Sequence, residues 1–502
     1  MRLIDTLAEP GVWPEDRTCL VEARHSWTRG EALDGVASCV ARLRERGVGP
    51  GDRVLALVDH DVRGVLFLAA ASVLGLRVLM PYNLQAAAAA EWRTIAEAAR
   101  PDVVVCVKRD TAGLEGLAAS CPRVVVLGDD LAMGPAGAAP WPDSPPVPNF
   151  LVLFTSGTTG APKAISVSEE VVARRVASVS DRLAFGPDSR VLMSGLLNNT
   201  TGVIFSFGAL RHGAVSVFPD TRDVTTWPSE VARHGITHVM LRPVAMRRFL
   251  ETAATSPADL SSLRVVAYGA AAMPRAVLDA GRRLLPCDWV QGYGLSETYG
   301  PFCWFDEPGH RADRHRRHTY CVGRPDDTLE VRLEPVEGHP DDGTGEVLVR
   351  GPALMEGYLD VGTGALHPPG EWLRTGDLGR WSPEGDLLLK GRLAGSLLSA
   401  DGHRIYPEEV EAVLADVPGV DDVVLVGAAG ERPVACLSGE LGRSDDAVVR
   451  RAVTEALRAV LSPEKWPDLV SVTSAPFPRS ANDKVMRAAV AGGISRARLI
   501  EL

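Results

Sequence analysis

The 502-residue chain is nearly empty of lysine: Lys108, Lys163, Lys390, Lys465 and Lys484 are its only five among 53 basic residues. Where arginine serves almost everywhere, each ammonium marks a position suited to a slim point charge instead of a planar fork. Its 8 cysteines are scattered without a CxxC pair, which excludes a zinc ribbon and a dense disulfide frame. Neither HExxH nor GxSxG occurs, so zinc-protease and nucleophile-elbow chemistry lack their first requirement. Cationic excess is missing too. A formal charge of −11 argues against a nucleic-acid partner, whose phosphates need neutralising. No apolar run is long enough to cross a membrane, because "VLFLAAASVLGL" at 65–76 stops at Arg77. The opening "MRLIDTLAEPG" carries Asp5 and Glu9 where a signal peptide needs an apolar centre, so a cytoplasmic protein is expected.

What is present alternates. Between 27 and 127 helical spacing ("GEALDGVASCVARLRERG", "VRGVLFLAAASVLG") interleaves with short β runs ("GDRVLALV", "DVVVCV", "RVVVLG"), the rhythm of an α/β sheet with covering helices. A Gly/Ala/Pro-rich connector at 132–149 follows, and buried strands are expected in "RVLMSGLL", "THVMLRP" and "LRVVAYGA". From about residue 323 the chain turns β-rich, and after 396 it carries a compact α+β pattern. The expected architecture is α/β, with a large N-terminal domain of stacked sheets plus a β-rich subdomain, and a small α+β C-terminal domain.

Four stretches carry chemistry. "LVLFTSGTTGAPKAI" at 151–165 ends a strand in Thr155, Ser156, Gly157, Thr158, Thr159 and Gly160, offering hydroxyls and open backbone N–H groups to phosphate oxygens, with Lys163 as a charge. The Walker spacing is absent, which disfavours a P-loop NTPase. "QGYGLSETYGP" at 291–301 flanks Tyr293 with Gly292 and Gly294 and sets Glu297 beside Thr298, a hard oxygen ligand next to a hydroxyl, suited to Mg²⁺-bound phosphate. "TGD" places Asp377 in a turn where a carboxylate can accept ribose hydroxyls. "PRSANDK" ends on Lys484.

Taken in order, TSGTTGAPK, GYGLSET, TGD, "LKGR" at 389–392 and PRSANDK resemble the adenylate-forming superfamily of acyl- and aryl-CoA ligases, peptide-synthetase adenylation domains and firefly-type luciferases. "GVGPGDRVLALV" and "GHRIYPEEVE" extend the resemblance over essentially the whole chain. It implies activation of a carboxylic acid by ATP and Mg²⁺, release of pyrophosphate, and capture of the acyl-AMP by CoA or by the phosphopantetheine of a separate acyl carrier protein. It implies that Thr155 to Thr159 with Lys163 cradle the β- and γ-phosphates, Thr298 contacts the α-phosphate and Glu297 holds Mg²⁺. Tyr293 packs on adenine, Asp377 with Arg392 binds ribose, and Lys484 bridges the carboxylate and the phosphoryl oxygens. The implied organisation is a domain of residues 1–391, a hinge at 392–396 and a mobile lid of 397–502. Two departures stand out: Ala394 and Gly395 where the hinge is usually charged, and Asp483 where many relatives have glycine before the lysine.

Residues 189–218 hold no Asp or Glu, and a buried substrate ammonium without a carboxylate partner is costly, so a neutral aryl or short acyl acid is expected over an amino acid. Asn198 and Asn199 either read a polar group on that acid or support their loop. Gly269, Ala270 and Gly294 are expected to give the pocket depth and Trp304 a flat wall. The basic run 307–320, with His315 and His318, is a solvated loop or a landing surface for a carrier protein or CoA. The rival readings are a catalytically degenerate acyl-binding module, a stand-alone amino-acid adenylating enzyme, and oxidative use of the adenylate.

Overall fold

In the computed structural model the described residues are all except 1, 9–12, 24, 82–88, 108–113, 115–116, 118–120, 122, 129–144, 156–162, 313, 315–319, 337–342, 400–403, 428–431, 480–484 and 495–497, together with the Thr155 side chain. Most of the 132–149 connector therefore lies outside them.

Helix starts follow local chemistry. Thr28 and Glu31 form a capping box ahead of Arg29–Glu45, and Asp61 caps Val62–Leu74, whose end is set by Gly75 in the left-handed conformation. Val62–Leu74 is apolar but for Arg63 and Ser72, and every residue of it is buried. A thirteen-stranded sheet runs from Glu330–Pro335 at one edge to His25–Thr28 at the other. Its centre is parallel, with Val265–Gly269 between His238–Leu241 and Asp288–Leu295. The β-rich stretch after 323 continues this sheet, because Cys321–Pro325 pairs with Gly300–Phe305 on one side and Leu387–Arg392 on the other. An eight-stranded sheet contains Arg53–Val58, Arg77–Met80, Leu151–Thr155 and Lys163–Val167.

The last hundred residues pack around their own centre. Helices Pro407–Leu414 and Asp446–Val460 lie on a four-stranded sheet, and Val410, Leu414, Val449, Val453 and Leu457 form an apolar cluster sharing no member with those of residues 3–388. This small unit touches the body through polar contacts: the Ala276 N–H donates to Asp416 (3.0 Å), Arg247 to the Val420 carbonyl (3.0 Å), and Tyr320 to the Glu408 carbonyl. A cleft of about 840 Å³ separates the two, with Tyr268 and Gln291 on one wall and Val448 and Val460 on the other. Among the described residues no helix is long and apolar enough to cross a membrane.

Candidate active site

Leu151–Thr155 and Lys163–Val167 form an antiparallel pair with Thr155 opposite Lys163, so the loop between them closes a hairpin; Ser156, Gly157, Thr158, Thr159 and Gly160 lie outside the described residues. Strand Gly357–Leu359 adds to the same edge, with Tyr358 opposite Ile165. This register puts the Lys163 ammonium over the Tyr358 ring, 5.3 Å from its centroid. The Tyr358 hydroxyl donates to Glu297 Oε1 (2.9 Å), and the Met355 N–H donates to the Glu297 carbonyl (2.8 Å). Glu297 and Lys163 thus meet through Tyr358, a residue the sequence reading did not single out. Burial and the Glu297 charge push the Tyr358 phenol up from its ordinary value.

Glu297 projects from the turn joining Asp288–Leu295 to Gly300–Phe305. Thr298 in this turn is fully buried: its hydroxyl accepts from the Leu295 N–H (2.9 Å) and donates to the Gly300 carbonyl (2.7 Å). That corrects the expectation of an open Thr298 hydroxyl for the α-phosphate, since both of its roles are taken up inside the turn. Ser296, on the other side of Glu297, is half-buried and has no side-chain partner among the described residues. The second Glu297 oxygen is likewise uncommitted among them. A hydroxyl beside a carboxylate oxygen without a partner among the described residues is a hard-oxygen donor set that fits Mg²⁺. Beneath the turn, the fully buried Arg175 donates to the carbonyls of Thr298 (3.2 Å) and Pro301 (2.7 Å) and pairs with Asp326 (3.2 Å).

Tyr293, Asp377 and Arg392 come together. The Tyr293 hydroxyl donates to Asp377 Oδ2 (2.6 Å), and Arg392 Nε lies 2.7 Å from Oδ1. Burial raises the Asp377 carboxyl above its ordinary value, opposed by Arg392 and Tyr293. The Tyr293 ring packs against Phe302 at 5.2 Å. Gly294 does not serve to bare that ring or deepen a pocket: a Cβ there would lie 2.0 Å from the Gly300 carbonyl oxygen, so the hairpin requires its absence.

The proposed acyl side is built differently. Asn199 caps helix Thr200–Arg211 through the Gly202 N–H (3.3 Å), and Asn198 donates to the Pro81 carbonyl (2.9 Å), which ties the two sheets together. Each asparagine thus supports its loop through one atom of its amide. At Gly269 a Cβ would meet the Gly292 carbonyl oxygen at 2.3 Å, so that glycine permits close strand approach. Trp304 is 4% exposed and donates to Asp326 (3.2 Å), which makes it core rather than an open wall. Ala270 alone of this group is exposed, just beyond the end of strand Val265–Gly269 with φ +65°.

Lys484 lies outside the described residues, as do His315 and His318. The segment carrying Lys484 is held at its base by pairing of Arg479 with Val485, and its flanks by ion pairs Arg479–Asp422 and Arg487–Glu411. In the basic run, Arg311, largely exposed, pairs with Glu307 (3.0 Å) and Arg314 with Asp386 (3.2 Å), while residues 313 and 315–319 lie outside the described residues. At the expected hinge Leu393–Gly395 makes one 3₁₀ turn, and the left-handed φ belongs to Gly391 (+149°), where a Cβ would strike Glu408 at 2.6 Å.

A family model described as "AMP-binding enzyme" matches residues 9–359. The chain is 32% identical over 302 residues to an indoleacetate–CoA ligase of Aromatoleum aromaticum, covering 58% of this chain and 56% of that protein. It is 28% identical to a sulfoacetate–CoA ligase of Cupriavidus necator over 97% of both. It is 30% identical to an L-proline–[L-prolyl-carrier protein] ligase of Streptomyces coelicolor, over 81% of this chain and 80% of that one. The amide bond synthetase McbA from Marinactinospora thermotolerans superposes with a TM-score of 0.83 at 25% identity, covering 98% of this chain and 99% of that one.

Proposed function

Since the chain belongs to the AMP-binding enzyme family, we propose that it activates a carboxylic acid with ATP to an acyl-adenylate and then passes the acyl group to a thiol. A carboxylate oxygen bonds to the α-phosphorus, the bond from that phosphorus to the bridging oxygen breaks, and pyrophosphate leaves with the electron pair. Thiol attack then releases AMP. The barrier is charge gathering on the transferring phosphoryl group, so catalysis falls to positioned donors and cations.

The observation that carries this reading is the meeting at one turn of Glu297 with Tyr358 and Lys163, a few residues from the Tyr293–Asp377–Arg392 group. Lys163 and the loop from Thr155 to Thr159 with Gly160 hold the β- and γ-phosphates, Ser296 takes the α-phosphate in place of Thr298, and Asp377 with Arg392 holds the ribose. Tyr293 orients Asp377 and flanks the adenine. Glu297 and Ser296 are the residues that hold Mg²⁺, which supplies neutralisation of phosphate charge. Lys484 approaches the carboxylate from the lid, residues 397–502, which turns on the body, residues 1–391, at 392–396.

The substrate is a non-amino-acid aryl or short acyl acid, supported by the names of the indoleacetate and sulfoacetate ligases and by the lack of Asp and Glu at 189–218. The acceptor is CoA or the phosphopantetheine of a separate carrier, and the action is that of a cytoplasmic enzyme. ATP–pyrophosphate exchange over aryl, short-chain, sulfonated and amino acids, with Lys484→Ala alongside, tests this. The expected result is exchange with a non-amino acid that collapses in the variant. Exchange led by proline or another amino acid would move the substrate to the class named for the Streptomyces relative. Silence throughout would favour a binding module.

A further inference from the structure

We propose that Tyr358 is a positioning residue that couples the metal-facing carboxylate of Glu297 to the phosphate-facing ammonium of Lys163. The inference rests on the roles given above to Glu297 and Lys163, and it concerns how they are set relative to each other. Two separate contacts carry it. The Tyr358 hydroxyl occupies Glu297 Oε1 at 2.9 Å, which restrains the carboxylate and leaves its other oxygen uncommitted among the described residues. Its ring supports the Lys163 ammonium at 5.3 Å, and no carboxylate pairs with this exposed lysine among the described residues.

The scaffold beneath is independent of the side chain. Strand Gly357–Leu359 is held to Lys163–Val167 by backbone register, and the Met355 N–H holds the Glu297 carbonyl. Removing the hydroxyl therefore frees the carboxylate without unpicking the strand.

A merely structural tyrosine would affect melting and leave the metal response alone, and that difference is the test. Tyr358→Phe keeps the ring and loses the hydroxyl; Tyr358→Leu loses both. ATP affinity is measured by calorimetry in Mg²⁺ and in EDTA, together with the Mg²⁺ concentration for half-maximal exchange and the melting temperature. For Tyr358→Phe the coupling predicts about a tenfold rise in half-saturating Mg²⁺, the scale of one hydrogen bond to a charge, with ATP affinity in EDTA unchanged. Tyr358→Leu adds a loss of affinity in EDTA, because the lysine is unsupported. Tyr358→Phe with a wild-type Mg²⁺ response, or with equal losses in Mg²⁺ and EDTA, overturns the inference. Glu297→Gln run in parallel separates the two failures. If Glu297→Gln also keeps the wild-type Mg²⁺ response, the Glu297 role itself is wrong. If only Tyr358→Phe keeps it, the coupling alone is wrong. Should the leucine variant fail to fold, the phenylalanine variant decides by itself.

Discussion

Two polar runs, 293–301 and 196–202, read alike in the sequence but are used in opposite ways. In the first, side chains reach side chains far along the chain: Tyr293 to Asp377, Glu297 to Tyr358, with Arg175 buried beneath. In the second, the asparagines satisfy backbone groups, at Gly202 and Pro81. A side chain bonded to the backbone helps to hold the fold at that point. One held by another side chain can keep an oxygen outward.

The largest effect expected from this contrast is at Arg175. Arg175→Met leaves Asp326 buried without its cation and drops two carbonyl bonds under the turn, so denaturant unfolding should show a loss of about 3–5 kcal/mol. A loss below about 1 kcal/mol would mean the turn is held by its own bonds. Next comes Glu297→Gln, expected to cut pyrophosphate exchange about a hundredfold or more with little change in melting. Its counterpart, Asn199→Ala, should cost about 1 kcal/mol as a lost helix cap, while acid preference stays as in the wild type. A changed acid preference would return Asn199 to the substrate pocket.

A graded effect is a pH dependence in the same thirteen-stranded sheet, small near neutral pH and growing as pH falls. Buried His238 accepts from the Thr237 hydroxyl and donates to the Leu183 carbonyl as a neutral ring, and burial pushes its pKa down to about 4. The unfolded imidazole takes a proton below about 6.5 and the folded one does not, so stability falls as pH drops from about 6.5 towards 4. The slope from this group is at most about 1.4 kcal/mol per pH unit. Melting curves between pH 7 and 4.5 should be flatter for His238→Gln than for the wild type, and parallel curves would remove His238 as the cause.

The residues expected to hold the nucleotide could be named because they sit in short contiguous motifs. The resemblance implied a shared role for Asp377 and Arg392, and strand pairing places them opposite each other. Tyr358 was not legible: "MEGYLD" reads as core, and the meeting with Lys163 and Glu297 exists only once Gly357–Leu359 is in register with Lys163–Val167. Thr298 was the hydroxyl named beside Glu297, and adjacency to Glu297 does not say which hydroxyl the turn buries. That is decided by the left-handed backbone at Tyr299 (φ +48°) and Gly300 (φ +121°). The asparagines did carry a usable signal, Asn-x-x-Gly at a helix start, which is a cap pattern before it is a pocket pattern.

The most direct test of the account is phosphorus NMR of the nucleotide products made with the acid that best supports exchange, in the presence of a thiol acceptor. Attack at the α-phosphorus predicts AMP and pyrophosphate in equal amounts, while ADP and inorganic phosphate would place the attack at the γ-phosphorus and contradict it.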